Sequence, residues 1–201
     1  MGIRKIVRPA IFLDRDGVLN PTVLNPVTGK MESPLSLWDF RLSEGVIPAL
    51  QHFQEAGYPL ILVSNQPNYA LGKCSYETHN VIRQKLEMQL DGAGIRFARF
   101  CYCLHHPRGL TPGYSGPCAC RKPSPWFLLR ARDDLALTLG DSWMIGDQRT
   151  DTECGRAAGV RTVRILAEAS GIGFHAADPC ADYFARDLAE AAEIILNVGA
   201  H

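Results

Sequence analysis

The chain reads as an α/β fold in which a parallel sheet is packed between two layers of helices. Short apolar runs alternate along it with longer stretches of helical period. Its most chemically suggestive polar residues fall just after those runs, where such a sheet opens a ligand crevice. At 201 residues and 46% hydrophobic content, residues 1–201 suit a single domain with a substantial core.

Strands are expected at 10–14, 59–64, 97–103, 142–146 and 161–166, with a short sixth near Tyr183. Between them, helices are expected at 45–55, at 77–90 with Ile82, Leu86 and Leu90 on one stripe, and at 125–137. Ser124 then reads as an N-cap with Pro125 in the first helical position. Asp187 and Glu190 have the spacing of a capping box for a final helix. Three stretches rich in Pro, Gly or Ser read as irregular: 20–42, 106–122 and 167–181. Trp38 and Tyr69, in or beside irregular stretches, read as packing residues.

Lys plus Arg and Asp plus Glu number 21 each, so no net field draws the molecule to nucleic acid or an anionic membrane, and neither is expected as a partner. Any phosphate recognition must be local. The basic start leads only into Ala10-Ile11-Phe12-Leu13, too short for a signal peptide's apolar region, and no later stretch suits a bilayer. A cytoplasmic monomer or small homo-oligomer is the expectation. Seven cysteines, an odd number without a secretion signal, fit reduced thiols or metal ligands better than a disulfide framework.

The first strand runs directly into Asp14-Arg15-Asp16-Gly17-Val18-Leu19-Asn20. A spacing of two brings both carboxylates to the same crevice, and Gly17 lets the backbone turn its N–H groups toward an anion. Phosphate-monoester hydrolysis needs a nucleophile, a proton for the departing alkoxide and positive charge around the phosphoryl oxygens. One carboxylate held by Mg²⁺ can attack phosphorus while its neighbour handles the proton. Alone, Asp-x-Asp-Gly is as readily a solvated turn.

Three further stations decide between these readings. The second strand ends in Ser64-Asn65-Gln66, a hydroxyl and two amides; Arg121-Lys122-Pro123 sets two cations before a capped helix; the fourth strand ends in Gly146-Asp147, followed by Asp151. Singly these are a strand-ending turn, surface charge and helix-start residues. Together they supply oxygen ligands for a hard cation and donors for a phosphate.

Cys103-Leu104-His105 and Cys118-Ala119-Cys120 form C-x-H-x₁₂-C-x-C, four ligands of the kind used in a closed tetrahedral zinc site. The segment between them has little apolar bulk, so metal binding would provide ordering free energy to a zinc loop at about 101–122. Cys101 and His106 are competing ligands, while Cys74, Cys154 and Cys180 read as ordinary thiols.

The four stations, in order, resemble the haloacid dehalogenase (HAD) superfamily. The sequences Cys103-Leu-His-His-Pro107 and Cys118-Ala-Cys-Arg-Lys-Pro123 resemble its zinc-loop branch, which contains heptose-bisphosphate and histidinol-phosphate phosphatases. The resemblance implies a three-layer, Rossmann-like parallel sheet with a minimal cap. It implies Asp14 as nucleophile and Asp16 as general acid/base. Mg²⁺ would be held by Asp14, the Asp16 carbonyl and Asp147, with Asp151 in support, and the phosphoryl group by Ser64 and Lys122. Zn²⁺ would be structural, on Cys103, His105, Cys118 and Cys120. Arg121 would meet a distal phosphate, and Arg15, Gly17, Asn20, Asn65 and Gln66 are expected at the substrate edge.

Asp16, where superfamily ATPases usually carry threonine, favours a phosphatase or phosphomutase. The segments between stations leave little room for a cap that would shield a phosphoenzyme, so hydrolysis is preferred. The implied substrate is D-glycero-D-manno-heptose 1,7-bisphosphate, cleaved at the 7-position. Histidinol phosphate or another small sugar or polyol phosphate is the enzymatic alternative, and a zinc-stabilised binding module the non-enzymatic one. The sequence departs from the heptose branch where Leu71 replaces a usual arginine and Gln148 a usual lysine.

Overall fold

The computed structural model describes residues 7–166 and 178–199. Strands β1 (Ile11–Leu13), β4 (Leu60–Asn65), β5 (Phe97–Cys103), β6 (Trp143–Gly146), β7 (Arg161–Ile165) and β8 (Tyr183–Ala185) form one sheet in the order β5-β4-β1-β6-β7-β8. Every pairing in it is parallel. The strands match the apolar runs because a parallel sheet is covered on both faces and leaves its inner strands no solvent side. All three β1 residues are buried.

Alternation along the strands divides the core. Ile11, Leu13, Leu60 and Leu62 face one layer, built from α1 (Val46–Glu55), α2 (Tyr76–Gly92) and α5 (Leu188–Gly199). Phe12, Ile61, Val63 and Met144 face the other, built from α3 (Trp126–Leu135) and α4 (Arg149–Ala158). The stripe Ile82, Leu86 and Leu90 is buried as its spacing predicts.

Caps differ from expectation by about one residue. Helix α3 begins at Trp126, so Pro125 occupies the cap position, and the Ser124 hydroxyl accepts from the Trp126 N–H at 3.4 Å. At α5, Asp187 caps the Glu190 N–H at 2.8 Å, but Glu190 reaches back to the N–H of Arg186 instead of that of Asp187.

The stretch 20–42 is not wholly irregular. It contains an antiparallel hairpin, β2 (Val23–Asn25) and β3 (Lys30–Glu32), whose turn is closed by the Asn25 side chain accepting from the Val27 N–H and by Gly29 at φ 65°. Trp38 is 92% exposed, so it does not pack as expected, whereas Tyr69 lies edge-on to Tyr76 and Tyr114. Most of 167–181 lies outside the described residues. Among the described residues no helix is long and apolar enough to cross a membrane.

The approach of α4 to the sheet depends on Gly155. A Cβ there would stand 2.7 Å from Thr162 Cγ2 and 2.8 Å from Met144 Cβ. Helix propensity alone favours alanine at such a position by about 1 kcal/mol. We expect the clash to win, so that Gly155→Ala lowers stability by about 1–3 kcal/mol. Urea unfolding checks this, and a raised midpoint would contradict the packing.

Candidate active site

The carboxyl ends of β1, β4 and β6 meet at a cavity of about 390 Å³. Asp14 follows β1, and its N–H donates to the Ile145 carbonyl of β6 at 2.9 Å, which ties the two strand ends together. Gly17 sits at φ 79°, and a Cβ there would overlap the Asp147 carboxylate; one at Gly146 would overlap Asp151. Two missing side chains thus let the acids after β1 and β6 approach. One carboxylate oxygen from each of Asp14, Asp147 and Asp151 lies within 4.8 Å of the others.

Lys122 enters from the loop between β5 and α3 and is almost wholly buried. Its Nζ stands 2.9 Å from Asp14 Oδ1 and 2.6 Å from Asp151 Oδ1, and it donates to the Val63 carbonyl at 2.6 Å. Burial opposes the ammonium, yet the two carboxylates more than offset it and hold its pKa above the usual lysine value. Asn65 anchors this stretch of backbone: its side chain accepts from the Lys122 N–H at 3.1 Å and donates to the Lys122 carbonyl at 3.2 Å.

One ammonium faces three carboxylates. Burial, then the repulsion of Asp14 and Asp151, pushes Asp147 up to about 7. Burial also pushes Asp14 up to about 6, against the pull of Lys122. A pocket of converging oxygens short of positive charge is the donor set of a hard divalent cation, and these residues fit one. Ser64 is buried and is not among the residues lining the cavity; its Oγ accepts from Gln66 Nε2 at 3.0 Å, which leaves its proton free to donate.

Asp16 has different surroundings. Its Oδ1 accepts from Arg15 Nε (3.1 Å), Arg15 Nη2 (2.9 Å) and Asn20 Nδ2 (2.9 Å), and its Oδ2 from Arg15 Nη2 (3.1 Å) and Gln66 Nε2 (2.5 Å). Burial raises its pKa, but Arg15, Asn20 and Gln66 outweigh that and bring it below the usual carboxylate value.

These contacts correct several expectations at the substrate edge. Arg15, Asn20 and Gln66 are buried with their side chains on Asp16, so none presents itself to a ligand. The Gly17 N–H, expected to face an anion, donates instead to the Asn20 carbonyl at 2.7 Å and closes the turn. Asn65 and Arg121 do line the cavity. Arg121 is held there by a 3.2 Å hydrogen bond to the His105 carbonyl.

Leu71 and Gln148, the two departures from the heptose branch, also line the cavity, whereas other wall residues escaped the sequence reading. Met31, Glu32 and Ser33 from the hairpin face Leu71 and Lys73 from the turn after β4, and Lys73 pairs with Glu32 at 2.6 Å. Ser33 also faces the Asp16 carboxylate. No motif marks the Lys73 and Glu32 pair, because its members are distant in sequence and meet only through the fold.

The cluster Cys103, His105, Cys118 and Cys120 is assembled as the spacing predicts, with one ligand atom from each within 4.8 Å of the rest. Cys103 Sγ stands 3.6 Å from Cys118 Sγ and 3.9 Å from His105 Nδ1, and Cys120 Sγ stands 3.7 Å from both Cys118 Sγ and His105 Nδ1. Such separations are far too long for a disulfide. They approach the roughly 3.8 Å edge of a tetrahedron with metal–sulfur bonds of about 2.3 Å, so the cluster could hold a metal. Cys101 is buried in the core and the His106 ring accepts from the Arg108 N–H, so neither joins it. The loop also has anchors of its own, since the Leu110 and Thr111 N–H groups donate to the Ala70 carbonyl.

Comparison with known proteins accords with this architecture. A HAD-hydrolase-like family model matches residues 119–191. Over 78% of its length the chain is 38% identical to a D-glycero-beta-D-manno-heptose-1,7-bisphosphate 7-phosphatase from Vibrio cholerae, covering 80% of that protein. It is 32% identical over 93% of both chains to the protein of the same name from Escherichia coli K12. A chain named as a HAD-like phosphatase from Mesorhizobium loti has a TM-score of 0.78 and 26% identity over 100% of this chain and 91% of that one. The D,D-heptose 1,7-bisphosphate phosphatase of B. bronchiseptica, solved with magnesium and phosphate, shares the fold at a TM-score of 0.71 and 24% identity, over 94% and 99% of the two chains. Relatedness on this scale, over most of both chains, means that the chain is a phosphatase belonging to the HAD-like hydrolase family.

Proposed function

We propose that this protein hydrolyses D-glycero-D-manno-heptose 1,7-bisphosphate at its 7-phosphate, in the cytoplasm, through an aspartyl phosphate on Asp14. The observation that carries the reading is the convergence of Asp14, Asp147 and Asp151 around Lys122 at the floor of one cavity. The names of the relatives support the substrate, and a further cation on the wall beside Lys122, Arg121, suits a sugar with two phosphates.

In this reading an Asp14 oxygen attacks phosphorus as the ester P–O bond breaks, and protonated Asp16 gives its proton to the departing alkoxide. Ionised Asp16 then takes a proton from water, whose oxygen attacks the phosphoryl group. Inorganic phosphate leaves and the Asp14 carboxylate is restored. Lys122 and the Ser64 hydroxyl hold the phosphoryl oxygens. Asp14, the Asp16 carbonyl and Asp147 would hold Mg²⁺, with Asp151 behind them; the ion would offset phosphoryl charge and keep Asp14 ionised. Zn²⁺ on Cys103, His105, Cys118 and Cys120 would fix the loop that delivers Arg121 and Lys122.

A panel of phosphate esters assayed for released phosphate tests the substrate. The heptose bisphosphate should give the highest kcat/KM and Asp14→Asn should lose about 10⁴-fold or more in kcat; a preference for histidinol phosphate would overturn the assignment.

Metal binding should depend on pH. In the metal-free protein the raised pKa values of Asp14 and Asp147 contribute stability that is present below the unfolded value near 4 and lost as pH rises through about 6 to 7. A cation competes with those protons, so the rise in Tm given by Mg²⁺ should be larger at pH 8 than at pH 5.5. An equal rise at both would contradict the site.

For the loop, one zinc per chain is expected by dye-coupled release, and Cys118→Ser should abolish it and lower Tm. Full zinc retention in that variant would count against the ligand set.

A further inference from the structure

Resting on the phosphatase reading, we infer that Arg15 is a positioning residue: its guanidinium fork fixes the Asp16 carboxylate in the orientation that proton transfer requires. Arg15 is 1% exposed and cannot meet a substrate. Its partner in an ion pair, among the described residues, is its own neighbour, reached through both Nε and Nη2.

That geometry is built by the turn. The N–H groups of Leu19 and Asn20 donate to the Arg15 carbonyl at 2.8 and 3.1 Å, and the Gly17 N–H closes on Asn20, so the backbone folds tightly enough for adjacent side chains to lie together. The His79 and Tyr102 rings, edge to face with centroids 5.2 Å apart, both lie within reach of the Arg15 charge. Burial, with the Arg15 charge adding to it, pushes His79 down to about 4, so the imidazole is neutral and does not repel the guanidinium at ordinary pH.

A carboxylate oxygen must come within about 2.6–3.2 Å of the leaving oxygen to transfer a proton. An aspartate free to turn would spend much of its time elsewhere. Here Asn20 and Gln66 hold Asp16 from two sides, and the planar fork of Arg15 sets the plane of the carboxylate as well as its place. Lysine would keep the charge without the fork.

The test is a double-mutant cycle on the best ester of the panel, with kcat and KM measured at saturating Mg²⁺. Arg15→Met should lower kcat about 10- to 100-fold with KM within about twofold, and Arg15→Lys should fall between it and wild type. In an Asp16→Ala background the same replacements should change kcat by less than about twofold, because the group they act through is gone. An equal loss in both backgrounds would show a merely structural role. A raised KM at unchanged kcat would show a substrate contact, and an unchanged kcat would show no role; each overturns the inference. Should Arg15→Met fail to fold, the Arg15→Lys arm of the cycle decides alone. Wild-type protein inactive on every ester, or Asp16→Ala as active as wild type, would instead sink the phosphatase reading or the assignment of Asp16, and this inference with it.

Discussion

A buried ammonium, Lys122, lies between two carboxylates that arrive from different elements, one after a strand and one on a helix, and the site is arranged around those contacts. Asp14 comes from the end of β1 and Asp151 from the first turn of α4, each within 3 Å of the same Nζ. Removing one partner from such a buried cluster costs about 3–5 kcal/mol, because the charges left behind have no water to turn to. Asn65 holds the backbone of Lys122 on both sides and the Cys/His cluster closes the loop just ahead of it. The loop and the sheet are therefore parts of one electrostatic device. Gly17 and Gly146 make it possible by leaving room where any side chain would collide with an acid.

The two aspartates after β1 are pushed in opposite directions. Burial lifts Asp14 to about 6, while Arg15, Asn20 and Gln66 overcome burial and lower Asp16. Environments that separate neighbouring carboxyl groups in this way are a mark of acid–base pairs. The protein alone leaves the proposed nucleophile as the more easily protonated of the two. In the proposed chemistry a divalent charge beside Asp14, Asp147 and Asp151 would favour their ionised forms, Asp14 included, and so offset the effect of burial. The roles belong to the protein and cation together.

The inner strands were legible in the sequence because burial on both faces leaves uninterrupted apolar runs such as Leu60-Ile61-Leu62-Val63. The acids were legible because they end those runs, and the zinc-type ligands because their spacing is rare by chance. The hairpin was not: its strands are three residues long and mostly half-buried or exposed, so no hydrophobic period marks them. Nor was the placement of Arg15 and Gln66 against Asp16. A sequence shows that a cation or an amide stands beside an acid, but whether it turns inward to that acid or outward to a ligand depends on the turn geometry. Lys73 and Glu32 form a pair that only the folded chain reveals.

The nucleophile can be identified by trapping it. Acid quenching during turnover, followed by borohydride, reduces an aspartyl phosphate to homoserine, which peptide mass spectrometry then locates. Homoserine is expected at position 14, dependent on both substrate and Mg²⁺. Homoserine at position 16 or 147, or none under conditions of rapid turnover, would contradict it.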